Sequence, residues 1–478
     1  MSTAPRKIYA GARLKRLRGE RHLTQAGMAA ELDVSPSYLN LMERNQRPMT
    51  VQILLRLTAA YGIDPRDFIE GEGEHSAGEI EQILADPLFR DAAVPRAEVR
   101  DAAENSPALV AAMARLYRAY AAAREASEAG VFSGPDRDRA EAALSESAID
   151  RLRAILHESR NHFPELEQAA ETTARELAAA GGDLFHALGE YLRAHHGIRV
   201  RLLPIDVMSA RLRSYDHHRR QLMISEAVEP PGRTFETAYQ LALSQHGDLL
   251  NEIAARLEPN HEQTRPLLRV ALANYFAAAL MMPYDRFLEV AEHEGYDIEL
   301  LAARFGASFE QVAHRMTTLA RPTARGVPFF LIRVDMAGNV SKRFSSGRFP
   351  FAHSGGTCAL WNIHAAFCEP GRILTQVIEL PDGTQWFSIC RTVRRSLTPW
   401  GSIEPRFAVA LGCEIKYAKR LVYAKRLDLN ALDATPIGIN CRLCDRPLCP
   451  QRAAPPAMRP PHVDETTRSL SPFIFKEV

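Results

Sequence analysis

Residues 11–50 read GARLKRLRGERHLTQAGMAAELDVSPSYLNLMERNQRPMT, and this stretch decides how the amino end folds. Leu14 and Leu17 give one apolar face. Thr24 is a helix-capping residue type and opens a short helix, Gln25 to Leu32, with Ala26, Met28, Ala29 and Leu32 available for packing. Asp33-Val34 makes a turn, and Ser35 caps a second helix that carries Tyr38, Leu39, Leu41 and Met42. Helix, tight turn and helix with apolar residues in these places predict a helix-turn-helix. The second helix of such a unit sets its first turn on base edges, which calls for small polar side chains: Ser35, Ser37 and Asn40. Gln25 can reach a phosphate or a base, and Arg44, Asn45 and Arg47 can contact the backbone of double-stranded DNA.

Charge agrees with this reading. The first fifty residues hold nine Lys or Arg against four Asp or Glu, whereas the whole chain carries +1. A basic head on a neutral body suits a nucleic-acid reader. At 478 residues, 46% hydrophobic and 24% charged, the chain has the composition of a globular protein of about three domains. No run of eighteen apolar residues predicts a membrane span, and MSTAPRKIYAGARLKRLRGERHLT lacks the apolar core of a secretory signal, so a cytoplasmic protein is expected.

The expected fold class is mostly α with an α+β C-terminal half. A helix-turn-helix domain over 8–70 is followed at 76–190 by Ala-, Glu-, Leu- and Arg-rich amphipathic helix, read as a linker and oligomerisation region. Strand-like patches lie at 197–205 and 221–226, and helices at 234–251, 267–282, 284–305 and 308–320. Ser308 with Gln311 three positions on forms a capping-box pattern. After Arg321-Pro322 the pattern turns to strands: VPFFLIRVD, NVSKRFS, RILTQVIELP, TQWFSICRTV and RFAVALGCE, with turns at Ala337-Gly338-Asn339 and Asp382-Gly383. An α+β domain is expected over 323–455 with a tail at 456–478, and the Pro-rich stretch PQRAAPPAMRPPH, 450–462, is expected to be extended or disordered.

The middle of the chain, 191–322, resembles the ImmA/IrrE metallopeptidase-like family through TFETAYQLALSQH and ALANYFAAALMMP. A zincin helix needs His, Glu and His at i, i+1 and i+4, so that two imidazoles share a face and the Glu activates water. Aligned on the resemblance, that motif falls at Tyr239-Gln240-Leu241-Ala242-Leu243, and the position of a third, carboxylate ligand is Leu272. The trio is absent, so a degenerate, catalytically silent domain is expected, with no catalytic residues. His246 and His261 lie at no ligand spacing.

Seven cysteines is a low, odd count, and Cys441, Cys444 and Cys449 form C-x2-C-x4-C followed by Pro450. Such spacing lets thiolates converge on one ion or cluster, and a fourth ligand is needed to close the site. Cys413 is the first candidate and Cys358 the rival; Cys368 and Cys390 read as core cysteines. Spacing alone allows zinc or an iron–sulfur cluster. Arg442 and Arg446 could offset the thiolate charge.

From about Arg233 to Ala453 the chain resembles the short-chain fatty acyl-CoA regulators, through YDIELLAARFGASFEQVAHRMTTLARPTARGVPFF, FPFAHSGGTCALWNIHAAF and TPIGINCRLCDRPLCPQRA. The head resembles the Cro/repressor-like helix-turn-helix family. These resemblances imply a transcription factor that senses a short-chain acyl-CoA, propionyl-CoA or acetyl-CoA. They also imply a [4Fe–4S] cluster on the cysteines, and a homodimer or homotetramer on a palindromic operator. CoA needs cations for its phosphates and an apolar groove for the rest. Lys342, Arg343, Arg391, Arg394 and Arg395, with Phe349 and Trp361, are the candidates. Two other readings stay open: a metal-dependent peptidase of the ImmA/IrrE type, and a phage-type repressor that answers to a protein partner.

Overall fold

A computed structural model of the chain describes residues 11–61 except 22 and 45, part of 78–120, and 148–259 except 182, 209 and 210. It also describes 261, 263–351 except 348, 356–425 except 395, 427, 433–456 except 443, and 461–475 except 463–465 and 472. Two compact units result, Met1–Ala121 and Ala122–Val478.

In the first unit, α1 (Gly11–Glu20), α2 (Gln25–Glu31), α3 (Pro36–Glu43) and α4 (Val51–Tyr61) close around Leu14, Met28, Leu32, Leu39, Met42 and Leu57. Both expected caps form. Thr24 Oγ1 accepts from the N–H of Gly27 at 3.0 Å, and Ser35 Oγ from that of Tyr38 at 3.1 Å. Pro36 takes the first helical position, where its missing N–H costs nothing. The turn between α2 and α3 places Asp33 at φ +49°, and Arg56 pins it by donating to the carbonyls of Leu32 and Asp33 at 2.8 and 2.9 Å. A further helix, α5 (Arg96–Asn105), packs Val99 and Ala103 on Ile80, Ile83, Val110 and Ala114.

The second unit begins its core earlier than expected. Helix α6 (Pro164–Ala180) falls within the span 76–190 read as a linker and α7 (Leu184–His196) straddles its end, but both are core elements. They pack Leu166, Ala170, Leu188 and Leu192 against α8 (Pro230–Gln245), α9 (Gly247–Leu257) and α10 (Thr264–Met281). A three-stranded sheet of β1 (Arg199–Leu203), β2 (Arg213–Asp216) and β3 (Gln221–Ser225) accompanies them in the order β1-β3-β2. The expected helix over 284–305 divides into α11 (Tyr284–His293) and α12 (Ile298–Phe305), because Gly295 and Tyr296 take positive φ between them. Helix α13 (Phe309–Met316) carries the reciprocal Ser308–Gln311 capping box.

Five strands lie where the alternation placed them: β4 (Phe330–Val334), β5 (Val340–Ser345), β6 (Leu374–Glu379), β7 (Gln385–Arg394) and β8 (Arg406–Glu414). With β9 (Thr435–Pro436) they form one sheet ordered β5-β4-β8-β7-β6-β9. Side chains alternate across a strand, so this sheet has two buried faces. Leu331, Phe387, Ile389, Val409, Leu411 and Cys413 meet the helices α11–α13. Phe330, Ile332, Trp386, Cys390, Ala408 and Ala410 face a second core with Phe349, Cys358, Trp361 and Ile363. Gly412 is required on β8: a Cβ there would lie 2.4 Å from the ring of Phe330 and 2.8 Å from the carbonyl of Phe387. The tail is not wholly irregular, since β10 (Pro461–His462) pairs with β11 (Ile474–Phe475). No single helix among the described residues is long and apolar enough to cross a membrane.

Candidate functional site

On the helix-turn-helix, Ser35, Ser37, Arg44 and Arg47 are exposed and Asn40 is half-buried on α3. Ser35 Oγ is engaged as a cap acceptor. Asn45 lies outside the described residues. Gln25 is placed differently from the expectation: its Nε2 donates to Glu43 Oε2 at 2.8 Å, so its amide braces α2 to α3 instead of standing free for DNA. Sequence reasoning missed the centre of this bracket. Arg18 Nε donates to Glu43 Oε1 at 2.6 Å, on a carboxylate side chain only 3% exposed. Burial pushes the Glu43 carboxyl up, but the bonds from Arg18 and Gln25 outweigh it and hold the group below the usual range. The charged bracket ties Arg18 of α1 and Gln25 of α2 to the C-terminal end of α3.

The degenerate peptidase position is filled. Gln240 is buried, accepts from Arg213 and donates to Ser244 at 3.0 Å. The Arg213 guanidinium also lies 4.7 Å from the centre of the Tyr239 ring. Leu272 is fully buried and Leu243 packs at the edge of the same core. A cation, an amide, a phenol and two leucines offer no set of zinc ligands.

The cysteines are brought together by a residue that ranked second from sequence. Cys358, Cys441, Cys444 and Cys449 line one pocket with Pro436, Gly438, Asn440, Arg446, Gln451 and Arg452. Cys413 is elsewhere: fully buried among the side chains beneath α11–α13, with burial pushing its thiol up. It points from β8 to the face opposite Cys358, so it is no part of this pocket. Cys390 is a core cysteine, its thiol raised to about 12 by burial, but Cys368 is exposed. Among the described residues no three His, Cys, Asp or Glu side chains converge closely enough to hold one metal ion.

The donor set nevertheless fits a thiolate-bound group in number and kind. Burial pushes the Cys358 thiol up, opposed by the N–H groups of Gly438 and Leu360 aimed at its sulfur. The N–H of Ala453 points at Cys441 Sγ, 3.5 Å away. Gly438 has no room for a side chain, since a Cβ would sit 2.6 Å from Cys444 Cβ and 2.7 Å from its Sγ. Arg446 anchors the loop by donating to the carbonyl of Glu379 at 2.9 Å.

The cations proposed for CoA do not assemble into one pocket. Lys342 Nζ is paired with Glu310 at 2.7 Å, Arg391 with Glu299 at 2.9 Å, Arg394 with Glu404 at 2.9 Å, and Arg343 with Asp150 at 3.6 Å. Arg395 lies outside the described residues. Phe349 is stacked on Phe330 with centroids 3.9 Å apart, and Trp361 donates to Ser388 Oγ at 2.9 Å, both buried in the opposite core. Neighbouring residues on a strand point to opposite faces, so the sheet itself separates Phe349 and Trp361 from Lys342 and Arg391. Arg391 stands apart within the set, because its Nε is buried without a hydrogen-bond partner while the guanidinium lies 5.2 Å from the Phe309 ring centre.

A braced helix-turn-helix with an exposed polar reading helix, in the same chain as a peptidase-like domain whose ligand positions are filled by non-ligands, defines a DNA-binding transcriptional regulator. Residues 10–68 match the helix-turn-helix domain family, 193–317 the IrrE N-terminal-like domain, and 318–473 the short-chain fatty acyl coenzyme A regulator C-terminal family. The chain belongs to the short-chain fatty acyl-CoA regulator family. It is 38% identical to the HTH-type transcriptional regulator RamB of Mycobacterium tuberculosis, over 99% of this chain and all of that one. It is 40% identical to the propionyl-CoA carboxylase regulator of Cereibacter sphaeroides, over 98% of each. A solved Mycobacterium tuberculosis transcriptional regulator, 37% identical, superposes with a TM-score of 0.65 over 68% of this chain and 99% of that chain.

Proposed function

We propose that the protein senses a short-chain acyl-CoA, propionyl-CoA or acetyl-CoA, and controls the genes that assimilate it. The observation that carries this reading is the match of residues 318–473 to the acyl-CoA regulator domain in a chain that also carries the DNA-reading head. The head reads half-sites of a palindromic operator as a homodimer or homotetramer in the cytoplasm, and the thioester favours one oligomer geometry over another. A ligand shifts such an equilibrium only by its differential affinity; a tenfold preference is about 1.4 kcal/mol. Recognition of the short acyl chain calls for a close-fitting pocket, at about 0.8 kcal/mol per buried methylene.

The cysteine pocket is proposed to hold a [4Fe–4S] cluster on Cys358, Cys441, Cys444 and Cys449, with zinc as the other occupant this donor set suits. A bound cluster would supply a redox-sensitive cross-link between the loop at 436–452 and the segment around Cys358.

The test is an operator-binding titration, without oxygen, with acyl-CoAs of increasing chain length. A shift in operator affinity confined to the short acyl chains is expected. Operator binding that no thioester alters would overturn the reading and favour the phage-type alternative.

A further inference from the structure

One buried cation organises the cysteine loop, and nothing in the metal-ligand pattern calls for it. Arg452 is 3% exposed and lines the cysteine pocket. Its Nη1 donates to the carbonyl of Cys441 at 3.0 Å. Its Nη2 donates to the carbonyls of Cys444 at 3.0 Å and Arg446 at 2.7 Å. The adjoining N–H, that of Ala453, points at Cys441 Sγ. The guanidinium lies over the ring of Phe475, 5.2 Å from its centre, and Phe475 is itself buried on β11.

We propose that Arg452 is the positioning residue of the cysteine pocket, and that the tail strand carrying Phe475 is part of the site because it seats Arg452. This rests on the reading of the pocket as a thiolate site. A loop with three cysteines in nine residues has little apolar surface of its own to fold around. The planar fork of an arginine can hold several carbonyls in one orientation at once, which an ammonium on a flexible stem cannot do. Two ligand residues, Cys441 and Cys444, are thereby oriented through their own carbonyls before any group binds. The guanidinium, its Nε buried with no hydrogen-bond partner, also brings a positive charge to the lining of the pocket. That charge favours a negatively charged, thiolate-ligated occupant.

The experiment compares metal-stripped, full-length wild type with Arg452→Gln, Arg452→Lys and Phe475→Ala. The reaction of each protein with a chromogenic disulfide reagent is followed without oxygen, alongside its circular dichroism. Wild type is expected to expose the pocket thiols slowly. Arg452→Gln should label at least about tenfold faster, the scale of one lost hydrogen bond to a charged group, with the helical spectrum unchanged. Arg452→Lys should lie nearer to Gln than to wild type, and Phe475→Ala between. Should Arg452→Gln fail to fold, Phe475→Ala and Arg452→Lys still carry the comparison. Labelling unchanged in the folded variants would overturn the proposal. A second arm offers ferrous iron and sulfide. Wild type that takes up neither, yet differs from Arg452→Gln in labelling, would refute the cluster and leave the positioning role standing.

Discussion

Arg315 and Glu167 meet in a bidentate pair, Nη1 to Oε1 at 2.6 Å and Nη2 to Oε2 at 2.8 Å, with both side chains almost wholly out of solvent. The pair bridges α13 to α6 across the core. Its remaining valences are used by the carbonyl of Met282, Thr318 Oγ1 and the Tyr275 hydroxyl. Burial pushes the Glu167 carboxyl up, but Arg315 outweighs it and holds the group below the usual range. This tie makes α6 part of the folded body. Glu167→Gln or Arg315→Met strands one buried charged or polar partner, so each should cost about 3–5 kcal/mol in denaturant unfolding. A cost within a few tenths of a kcal/mol would contradict the assignment.

His314 is held neutral far below the pH at which a surface histidine takes up its proton. The residue is half-buried with its Nε2 shut away from solvent and without a hydrogen-bond partner, its ring centre is 4.3 Å from that of Phe344, and desolvation, aided by Lys342 and opposed by Glu310, pushes it down to about 3. The unfolded chain therefore binds a proton near the ordinary histidine value while the folded chain does not. The stability this group contributes is present above about pH 6.5 and is lost as pH falls toward the folded value. His157, His162, His246 and His364, also held low by burial, act in the same direction. Thermal melts between about pH 7 and pH 5 should show a falling Tm, with a shallower slope in His314→Leu. An equal slope in both proteins would remove His314 from this role.

The contacts proposed for α3 and for the segment that follows it are of two kinds, and salt separates them. Ser37→Ala and Asn40→Ala should weaken operator binding by about 1–3 kcal/mol while sparing non-specific DNA. Arg47→Ala should lower both and reduce the slope of log K against log salt by about 0.9. Equal losses on both DNAs for all three variants, measured by fluorescence anisotropy, would contradict the division.

Cys358, not Cys413, lines the pocket with Cys441, Cys444 and Cys449, and metal analysis tests whether it is the proposed fourth ligand. Cys358→Ser and Cys441→Ser should each lose the proposed iron and sulfide, or zinc. Cys413→Ala should keep the metal and cost about 1–3 kcal/mol of stability as a core truncation. Metal lost with Cys413 and kept without Cys358 would restore the first expectation.

Local chemistry was legible in the sequence, and distant register was not. Thr24, Ser35 and Ser308 announce their helices because a cap acts within three residues. The five long strands declare themselves by alternation, whereas β2, the four residues RSYD, has too little apolar pattern to register. Cys358 could not be ranked above Cys413, because their separation depends on which face of β8 each side chain meets. The cations at 342–395 read as one cluster because they are close along the chain; strand pleating puts their partners on different faces. Arg452 carried no signal beyond its place three residues after Cys449. A cation so near a cysteine run could have been flagged as a loop organiser. Gln25 looked free because its partner, Glu43, is eighteen positions away.

The most direct measurement is a closed binding cycle on the full-length protein, kept free of oxygen. Propionyl-CoA affinity is measured with and without operator DNA, and operator affinity with and without propionyl-CoA. Coupled sites must shift one another by the same factor, and a factor of about five to 150 is the usual range. A matched shift on both legs is expected. A thioester that binds without moving operator affinity, or does not bind at all, would contradict a DNA reader governed by a metabolite.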